Sequence, residues 1–491
     1  MCRLICLLSL FFLLSQPLYA AKLAERVHEE HLENGLTLLM LERHDAPTVS
    51  AFISFRVGGA SEGNRNRGIA HLLEHMLFKG TQTLGTRDYA AEKPLLEQIE
   101  SVGSRIDQLK NDPAADPVEL ETLRSRLKGL QQEHKQYVVK DEFSRIYAEN
   151  GGIGYNAFTS KDQTTYLISL PANKLELWAA IESDRLQNAV LREFYTEREV
   201  VREERRRSYE SNPSGLLYEA LIADAYTVHP YRNPVIGWDS DIANLSLAEA
   251  RDFFNRYYRP VNMVITLVGD FDTKETLALV KKYFATIPSG TPVPRVVDVE
   301  PPQRGEKRIT INFEAEPDLS IAFHKPTMPH QDDYCADLVT NILAGGATSR
   351  LYKRLVVEEQ LASNVQIYGA PGSRYDNLLV IDASPRYPHT VAEVEAAIYE
   401  ELDKLKSEPV SAIELKRAGN RLVTDNLRQM RSNDGLARLL SSYATVGNWR
   451  YLTDYAEKIE AIDPPKLIAF ANRYLIATNR TVAVLEREVG K

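Results

Sequence analysis

The pattern of hydrophobic and polar positions predicts strands and helices in both halves of the chain. Runs of β-branched and aromatic residues bounded by turn residues predict strands within 35–58, 164–171, 262–270 and 307–326. Apolar residues spaced three and four apart predict amphipathic helices at 174–190, 246–258 and 272–287. This mixture predicts an α+β fold in which helices cover one face of a mixed, mostly antiparallel sheet.

One pattern occurs twice along the chain. Residues 256–271 read RYYRPVNMVITLVGDF and residues 473–488 read RYLIATNRTVAVLERE. Each segment runs from the end of a helix through an asparagine-containing loop into an apolar strand. The offset between the two segments is the length of a whole domain and far exceeds the about 20–50 residues of a solenoid repeat, so it indicates duplicated domains. We therefore expect two homologous α/β-sandwich-like halves.

The proline-rich stretch 289–306 is the predicted linker between the halves. It separates a first domain at 22–288 from a second domain at 307–491. Within the first domain, residues 91–137 form a charged helical insertion whose two helices are separated by NDPAADP. Its apolar seam follows Leu96, Ile99, Ile106, Leu109, Leu120, Leu123, Leu127 and Leu130. We expect an inserted antiparallel helical hairpin whose seam packs within itself; the alternative is that the seam binds a partner.

Residues 1–21 are predicted to be a secretory signal peptide. Arg3 precedes an apolar run, and Ala20 and Ala21 are small residues suited to cleavage. The run is too short to span a bilayer, so no stable membrane insertion is expected, although an uncleaved anchor is the alternative. Cys335 would be the only cysteine left after cleavage, so no intrachain disulfide could form. An exported chain without disulfides indicates a periplasmic location.

Composition narrows the class of protein further. The 491 residues are 44% hydrophobic and 26% charged, which is typical of a globular protein. The net charge of −9 argues against nucleic acid as a partner.

The chemistry-bearing motif is IAHLLEHMLFKG at 69–80. On a helix, His71 and His75 are four residues apart and project from one face, where two imidazoles can bind one zinc ion. Glu74 lies beside them, in the place of a general base for water. The order H-x-x-E-H inverts that of H-E-x-x-H and occurs among zinc peptidases. The alternative is a buried histidine cluster with no metal.

A catalytic zinc needs a third protein ligand. The helix predicted at 196–213 is rich in glutamate, and its spacing leaves four candidates open, namely Glu197, Glu199, Glu203 and Glu204. The alternative interpretation of this helix is a solvated charged surface.

With these motifs in place, the sequence resembles the pitrilysin (inverzincin) family of zinc metallopeptidases. That family includes insulin-degrading enzyme and the mitochondrial processing peptidase. The matching segments are GIAHLLEHMLFKGT (68–81), NAFTSKDQTTY (156–166), EREVVREE (197–204) and HPYRNPVIGW (229–238).

The resemblance implies roles for particular residues. It implies Glu204 as the third zinc ligand and Glu197 as a carboxylate supporting the site. Asn156 and Ala157 fall where family members pair an edge strand with the substrate backbone. The interval from His75 to Glu204 is longer than the family's usual spacing, and the predicted hairpin accounts for the excess.

The second half departs from the family pattern. Val356 and Ser363 stand where family members carry an arginine and a tyrosine that bind substrate. The resemblance therefore implies a homologous partner subunit that supplies the pair, or a homodimer. The alternative is a different alignment, in which residues of the nearby segment 345–355 take these roles, namely Arg350, Tyr352 and Arg354.

The function implied is a zinc-dependent endopeptidase that hydrolyses unfolded peptides or small proteins, with Zn²⁺ bound by His71, His75 and Glu204 and water activated by Glu74. Two alternatives stay open. The chain is a catalytic subunit active only with a partner, or it is a non-catalytic binding or assembly subunit.

Overall fold

The structure, a computed structural model, describes residues 23–487; the predicted signal peptide lies outside the described residues. Two β-sheets form its framework. The strands are β1 (His28–His31), β2 (Thr37–Glu42), β3 (Thr48–Phe55), β4 (Ile153–Thr159), β5 (Thr164–Pro171), β6 (Met263–Gly269), β7 (Lys307–Phe313), β8 (Asp318–Lys325), β9 (Ala362–Ala370), β10 (Asn377–Pro385) and β11 (Arg480–Arg487).

Helices pack against both sheets. In the first half they are α1 (Ile69–Met76), α2 (Tyr89–Leu109), α3 (Pro117–His134), α4 (Glu142–Glu149), α5 (Leu175–Asn188), α6 (Phe194–Arg205), α7 (Pro213–Ala225), α8 (Asp239–Asn244), α9 (Leu247–Tyr257) and α10 (Thr273–Phe284). In the second half they are α11 (Gln331–Ala344), α12 (Val391–Ser407), α13 (Ala412–Gln429), α14 (Asn433–Val446), α15 (Tyr451–Glu460) and α16 (Pro464–Tyr474). Two π-helical segments also occur, at Arg206–Glu210 and Tyr352–Glu358.

The two sheets repeat one topology. The first has the order β1-β2-β6-β3-β5-β4 and the second β7-β11-β8-β10-β9. In each, a central strand runs parallel to one neighbour and antiparallel to the other: β6 with β2 and β3, and β11 with β7 and β8. Strand β6 begins at Met263 and strand β11 at Arg480, the same offset as between the two copies of the sequence repeat. The predicted α+β fold with two homologous halves is confirmed.

The predicted hairpin corresponds to α2 and α3. Helix α2 buries Leu95, Ile99, Val102, Ile106 and Leu109. The leucines of α3 are only half-buried, so α3 contributes less buried apolar surface to the seam than α2 does.

The chain forms two compact units whose residues interleave. Among the described residues, one contains 28–205 and 233–295, and the other contains 23–27, 206–232 and 296–487. Helix α7 therefore belongs with the second sheet, where it packs on β7, β8 and β11. The domain limits inferred from the sequence stay a prediction. None of the helices within 23–487 combines the length and apolar character needed to cross a bilayer.

Candidate metal centre

Helix α1 carries His71 and His75, and its start is fixed by a side chain and a glycine. The Glu62 carboxylate accepts hydrogen bonds from the backbone N–H groups of Gly68 and Ala70, both at 2.9 Å, and so satisfies donors at the open end of the helix. Gly68 has φ of +89°, and a Cβ there would lie 2.3 Å from the Ile236 carbonyl oxygen. Only glycine fits this position.

The helix divides into a buried apolar face and a partly open polar face. Ile69, Leu72, Leu73 and Met76 are fully buried. The side chains on the other face retain some exposure, at 14% for His71, 12% for Glu74 and 25% for His75. The histidines therefore belong to an accessible polar face of the helix and not to the apolar core.

Helix α6 brings Glu204 to the two histidines. Its Oε2 lies 3.2 Å from His71 Nε2 and 3.3 Å from His75 Nε2. Single ligand atoms from all three residues lie within 4.8 Å of one another. Tetrahedral ligands about 2.1 Å from a zinc ion are about 3.4 Å apart, so the measured separations suit zinc. Two imidazoles and one carboxylate also form a known catalytic donor set, which leaves a position for water.

A second carboxylate and a lysine lie behind His75. Glu197 Oε2 is 3.4 Å from His75 Nδ1, and Glu197 Oε1 is 2.5 Å from Lys79 Nζ. Burial disfavours the charged imidazole, yet the carboxylates of Glu197 and Glu204 outweigh it and raise the pKa of His75 to about 9. Hydrogen bonds from both histidines hold the pKa of Glu204 well below its usual range.

The structure distinguishes among the four glutamates that the sequence spacing leaves open as the third ligand. Glu197 and Glu204 face the histidines, whereas Glu199 is 57% exposed and pairs with Arg202 on its own helix at 2.9 Å. Among the described residues, the group whose ligand atoms lie close enough together to hold a metal ion does not include Glu203. Helix α6 thus presents two glutamates seven residues apart to the histidines.

The end of α6 is held against the segment that fixes α1. The Arg205 guanidinium donates to the Gly237 carbonyl at 2.9 Å and lies 5.4 Å from the Trp238 ring. Gly237 also packs against Gly68. The segment HPYRNPVIGW therefore has a structural role, because its last two residues connect the start of α1 to the end of α6.

Strand β4 lies next to the site and forms the outer edge of the first sheet. Asn156 is exposed and Ala157 is buried, and they pair with Leu167 and Tyr166 of β5. Their contact with substrate stays a prediction. At the end of β4, Thr159 Oγ1 lies 2.6 Å from Glu74 Oε2. Sequence reasoning missed this contact, because a threonine at a strand end carries no pattern that marks it.

In the second half, the candidate substrate-binding side chains have partners in their own unit. Arg350 forms a two-point ion pair with Glu414, at 2.8 Å for both contacts. Arg354 is engaged by glutamates of its surroundings, namely Glu359, Glu400 and Glu401. Tyr352 and Val356 pack against the hydrophobic core, and the Ser363 hydroxyl donates to the Ser384 carbonyl at 3.2 Å. The guanidinium groups of Arg350 and Arg354 are thus already engaged by glutamates of their own unit.

Family models match both halves of the chain. The one described as insulinase (peptidase family M16) matches residues 38–108 and 133–239. The one described as peptidase M16 inactive domain matches residues 244–422. The break in the first match, 109–132, falls within the hairpin.

Known proteins resemble the chain over nearly its whole length. A zinc protease from Helicobacter pylori, PqqE, is 25% identical over 463 residues, which cover 93% of this chain and 91% of the relative. The solved structure of a protease from the same organism has a TM-score of 0.79 at 24% identity and covers 94% of this chain and 99% of that chain. The periplasmic protease PqqL from Escherichia coli has a TM-score of 0.70 at 18% identity, and the match covers 94% of this chain and 48% of that one.

The family matches, the relatives named zinc proteases and the histidine–glutamate site agree with one another. Zn²⁺ is accordingly the cofactor expected at this site. The chain belongs to the insulinase family, peptidase family M16.

Proposed function

We propose that the chain is a zinc-dependent endopeptidase that hydrolyses unfolded peptides or small proteins. The observation that carries the proposal is the arrangement around α1. His71, His75 and Glu204 converge on one point, while Glu74 lies beside them and is hydrogen-bonded to Thr159. A metal-binding cluster with a separate carboxylate next to it is what metal-assisted hydrolysis requires.

The residues divide the work of hydrolysis. His71, His75 and Glu204 would hold the zinc ion, which would supply a Lewis acid to polarise the peptide carbonyl and lower the pKa of water. Glu74 takes a proton from the attacking water as its oxygen bonds to the peptide carbonyl carbon. When the C–N bond breaks, Glu74 returns this proton to the leaving nitrogen, so the carboxylate is regenerated.

Two further features support the proposed substrate and compartment. An extended peptide that adds to the outer edge of β4 would place its backbone beside Asn156 and Ala157. An extended conformation is available to unfolded chains and not to most folded ones. The signal peptide predicted at 1–21 and the periplasmic location of the structural relative PqqL both support export to the periplasm.

Replacing Glu74 by glutamine tests this function. We expect the Glu74→Gln protein to keep its zinc, because no ligand is removed, and to cleave a quenched peptide about 10²- to 10⁴-fold more slowly. Metal analysis of the same preparation provides the control. Cleavage at the wild-type rate would contradict the mechanism, and a wild-type chain without zinc would favour a non-catalytic binding or assembly role.

A second form of this function is that the chain is active only with a homologous partner subunit. The supporting observation is that Val356 and Ser363 replace the arginine and tyrosine expected from the family resemblance, while Arg350 is already paired with Glu414. The purified chain should be assayed alone and mixed with a homologous chain from the same source that carries both residues. Activity that appears only in the mixture supports a heteromer, and full activity of the chain alone contradicts it.

A further inference from the structure

The general base Glu74 is held by a hydroxyl group from another element. Thr159 Oγ1 and Glu74 Oε2 are 2.6 Å apart, and the Glu74 side chain is largely buried. An ionised carboxylate can only accept a hydrogen bond, so the threonine donates. Short hydrogen bonds to a charged group are the stronger kind.

The backbone at Thr159 is fixed by the turn that follows it. Thr159 is paired with Thr164 across the β4–β5 hairpin. Ser160 donates its backbone N–H to the Gln163 carbonyl at 2.8 Å, and the Ser160 carbonyl accepts from Gly59 N–H at 3.0 Å. The hydroxyl of Thr159 is therefore carried on a closed turn that is attached to the segment before α1.

The hydrogen of Thr159 has no strong competing acceptor among the neighbours that the structure describes. Thr164 Oγ1 lies 3.4 Å from Thr159 Oγ1, a long contact compared with 2.6 Å to Glu74. The Thr164 hydroxyl donates its own single hydrogen to the Val57 carbonyl, at 3.1 Å. The carboxylate of Glu74 is thus the acceptor that the geometry favours.

Both close contacts of the carboxylate engage the same oxygen. His71 Nδ1 is 3.7 Å from Glu74 Oε2, the atom that Thr159 contacts. Within residues 23–487, no hydrogen bond reaches Oε1. The last torsion of a glutamate is broad when unrestrained, so a bond to one oxygen sets the direction of the other.

We propose that Thr159 is a positioning residue for catalysis: it holds Oε2 of Glu74, so that Oε1 is the oxygen that takes up and returns the proton. This role rests on the proposed peptidase function, because it assigns an orientation to the base of that reaction. Without the hydroxyl, the carboxylate would sample other rotations, and fewer of its conformations would face the attacking water.

Three variants test this role. Thr159→Val removes the hydroxyl at nearly constant shape, and Thr159→Ser keeps it. Thr165→Val is the matched control, because Thr165 is on the same strand pair and hydrogen-bonds to Ser54 at 2.7 Å, away from Glu74. We expect Thr159→Val to lower kcat about 10- to 100-fold with KM and zinc content nearly unchanged, and Thr159→Ser to restore most of kcat.

A wild-type kcat for Thr159→Val would overturn the role, and so would a Thr159→Ser protein as slow as the valine variant. A merely structural hydroxyl would not separate kcat from KM in this way. Glu74→Gln, assayed in parallel, identifies which idea has failed. If that protein keeps wild-type activity, the proposed function is wrong; if it is inactive while Thr159→Val is unaffected, only the role of Thr159 is wrong.

A double-mutant cycle tests the contact without any assay of activity. Urea midpoints are measured on zinc-free protein for wild type, Thr159→Val, Glu74→Ala and the double variant. We expect the shift caused by Thr159→Val to shrink when Glu74 is already absent, because the two residues then no longer interact. Additive shifts would overturn the proposal even for a chain that shows no peptidase activity.

Discussion

The two carboxylate oxygens of Glu197 contact different partners. One lies near Nδ1 of His75 in the candidate metal site, and the other is paired with Lys79. The pairing with Lys79 at 2.5 Å fixes the carboxylate that lies against His75 Nδ1. A carboxylate in this position selects the tautomer that presents Nε2 to a metal and orients the ring. The affinity for zinc should therefore depend on Glu197 as well as on the three proposed ligands.

We predict that Glu197→Gln weakens zinc binding about 10- to 100-fold, measured by competition with a chelator of known affinity. Glu199→Gln is the matched control, because Glu199 is on the same helix and pairs with Arg202. We expect it to bind zinc as the wild type does. Equal affinities for the two variants would show that Glu197 does not support the site.

The sequence predicts part of the geometry of this candidate site. The spacing of His71 and His75 was sufficient to indicate a shared metal, because helix geometry puts residues four apart on one face. The choice of Glu204 came from the family resemblance, since four glutamates of one helix fit the spacing alone. Thr159 could not be predicted, because its hydroxyl meets Glu74 only when strand β4 and helix α1 are packed together.

At the scale of elements, a buried ion pair joins the hairpin to the chain that follows α1. Glu92 of α2 is completely buried and accepts from Arg192 at 2.8 Å and from His134 of α3 at 2.7 Å. Arg192 also donates to the Thr81 carbonyl at 2.5 Å and the Lys79 carbonyl at 3.1 Å. One carboxylate thus connects both hairpin helices, through Arg192, with the segment that follows α1.

We predict that Glu92→Gln lowers the free energy of unfolding by about 3 kcal/mol, because it leaves the buried Arg192 charge without its partner. Glu119→Gln provides the control within the same hairpin. Its ion pair with Arg105 is exposed, at 43% and 49% of the two side chains, and should contribute less than about 1 kcal/mol. Urea unfolding of both proteins measures the difference, and equal effects would contradict the importance assigned to the buried pair.

The same carboxylate predicts a dependence on pH. Burial would raise the pKa of Glu92, but His134 and Arg192 outweigh it and lower the pKa from 4.5 to about 2. The unfolded chain therefore binds more protons in this interval, and stability falls as the pH drops from 4.5 to about 2. We expect the stability gap between wild type and Glu92→Gln to be smaller at about pH 3 than at about pH 6. A constant gap in urea unfolding would contradict this assignment.

The hairpin itself could be predicted because it contains local information only. Steps of three and four between apolar residues indicate a helix, and NDPAADP indicates a break. The exact buried face of α2 is harder to predict. The pattern favours Leu96 as a buried position, but the structure buries Leu95 and leaves Leu96 less buried. The difference arises because Glu92, three residues before Leu95, turns this face of α2 toward Arg192.

At the scale of the molecule, helix α7 packs on the second sheet although its residues lie in the first half of the sequence. Leu217, Leu221 and Ile222 are buried on its apolar side. Lys307 of β7 donates to the Asp224 carbonyl at 2.7 Å, and His324 of β8 lies 3.0 Å from the Ala225 carbonyl oxygen. These contacts satisfy carbonyl groups at the end of the helix, where a positive charge is also favourable.

We predict that Leu221→Ala destabilises the second sheet by about 2–5 kcal/mol, the usual cost of a cavity at a buried leucine. Hydrogen exchange should then accelerate in β7, β8 and β11 before it changes in β2 and β6. Val280→Ala on α10, which packs on β2, is the control and should give the opposite pattern. Acceleration of the first sheet by Leu221→Ala would contradict the assignment of α7.

The repeat predicted two similar halves correctly, and the shared strand order explains why it could. The placement of α7 could not be predicted in the same way. An amphipathic pattern shows that one face of a helix is covered, but it does not identify the sheet that covers it. A partner strand that lies far away along the chain leaves no local signal.

The placement of α7 on β11 has a consequence for synthesis. Helix α7 ends at Ala225 and strand β11 begins only at Arg480, so the helix is complete long before its partner strand exists. With roughly 250 residues still to be added at about 5–20 residues per second, the wait on the ribosome lasts roughly 13–50 s. During that time α7 lacks one of the three strands on which it packs, since β7 and β8 precede β11 along the chain. A chain released before its last strand would leave the part of α7 that packs on β11 uncovered, and cellular proteases and chaperones could distinguish it from a finished molecule.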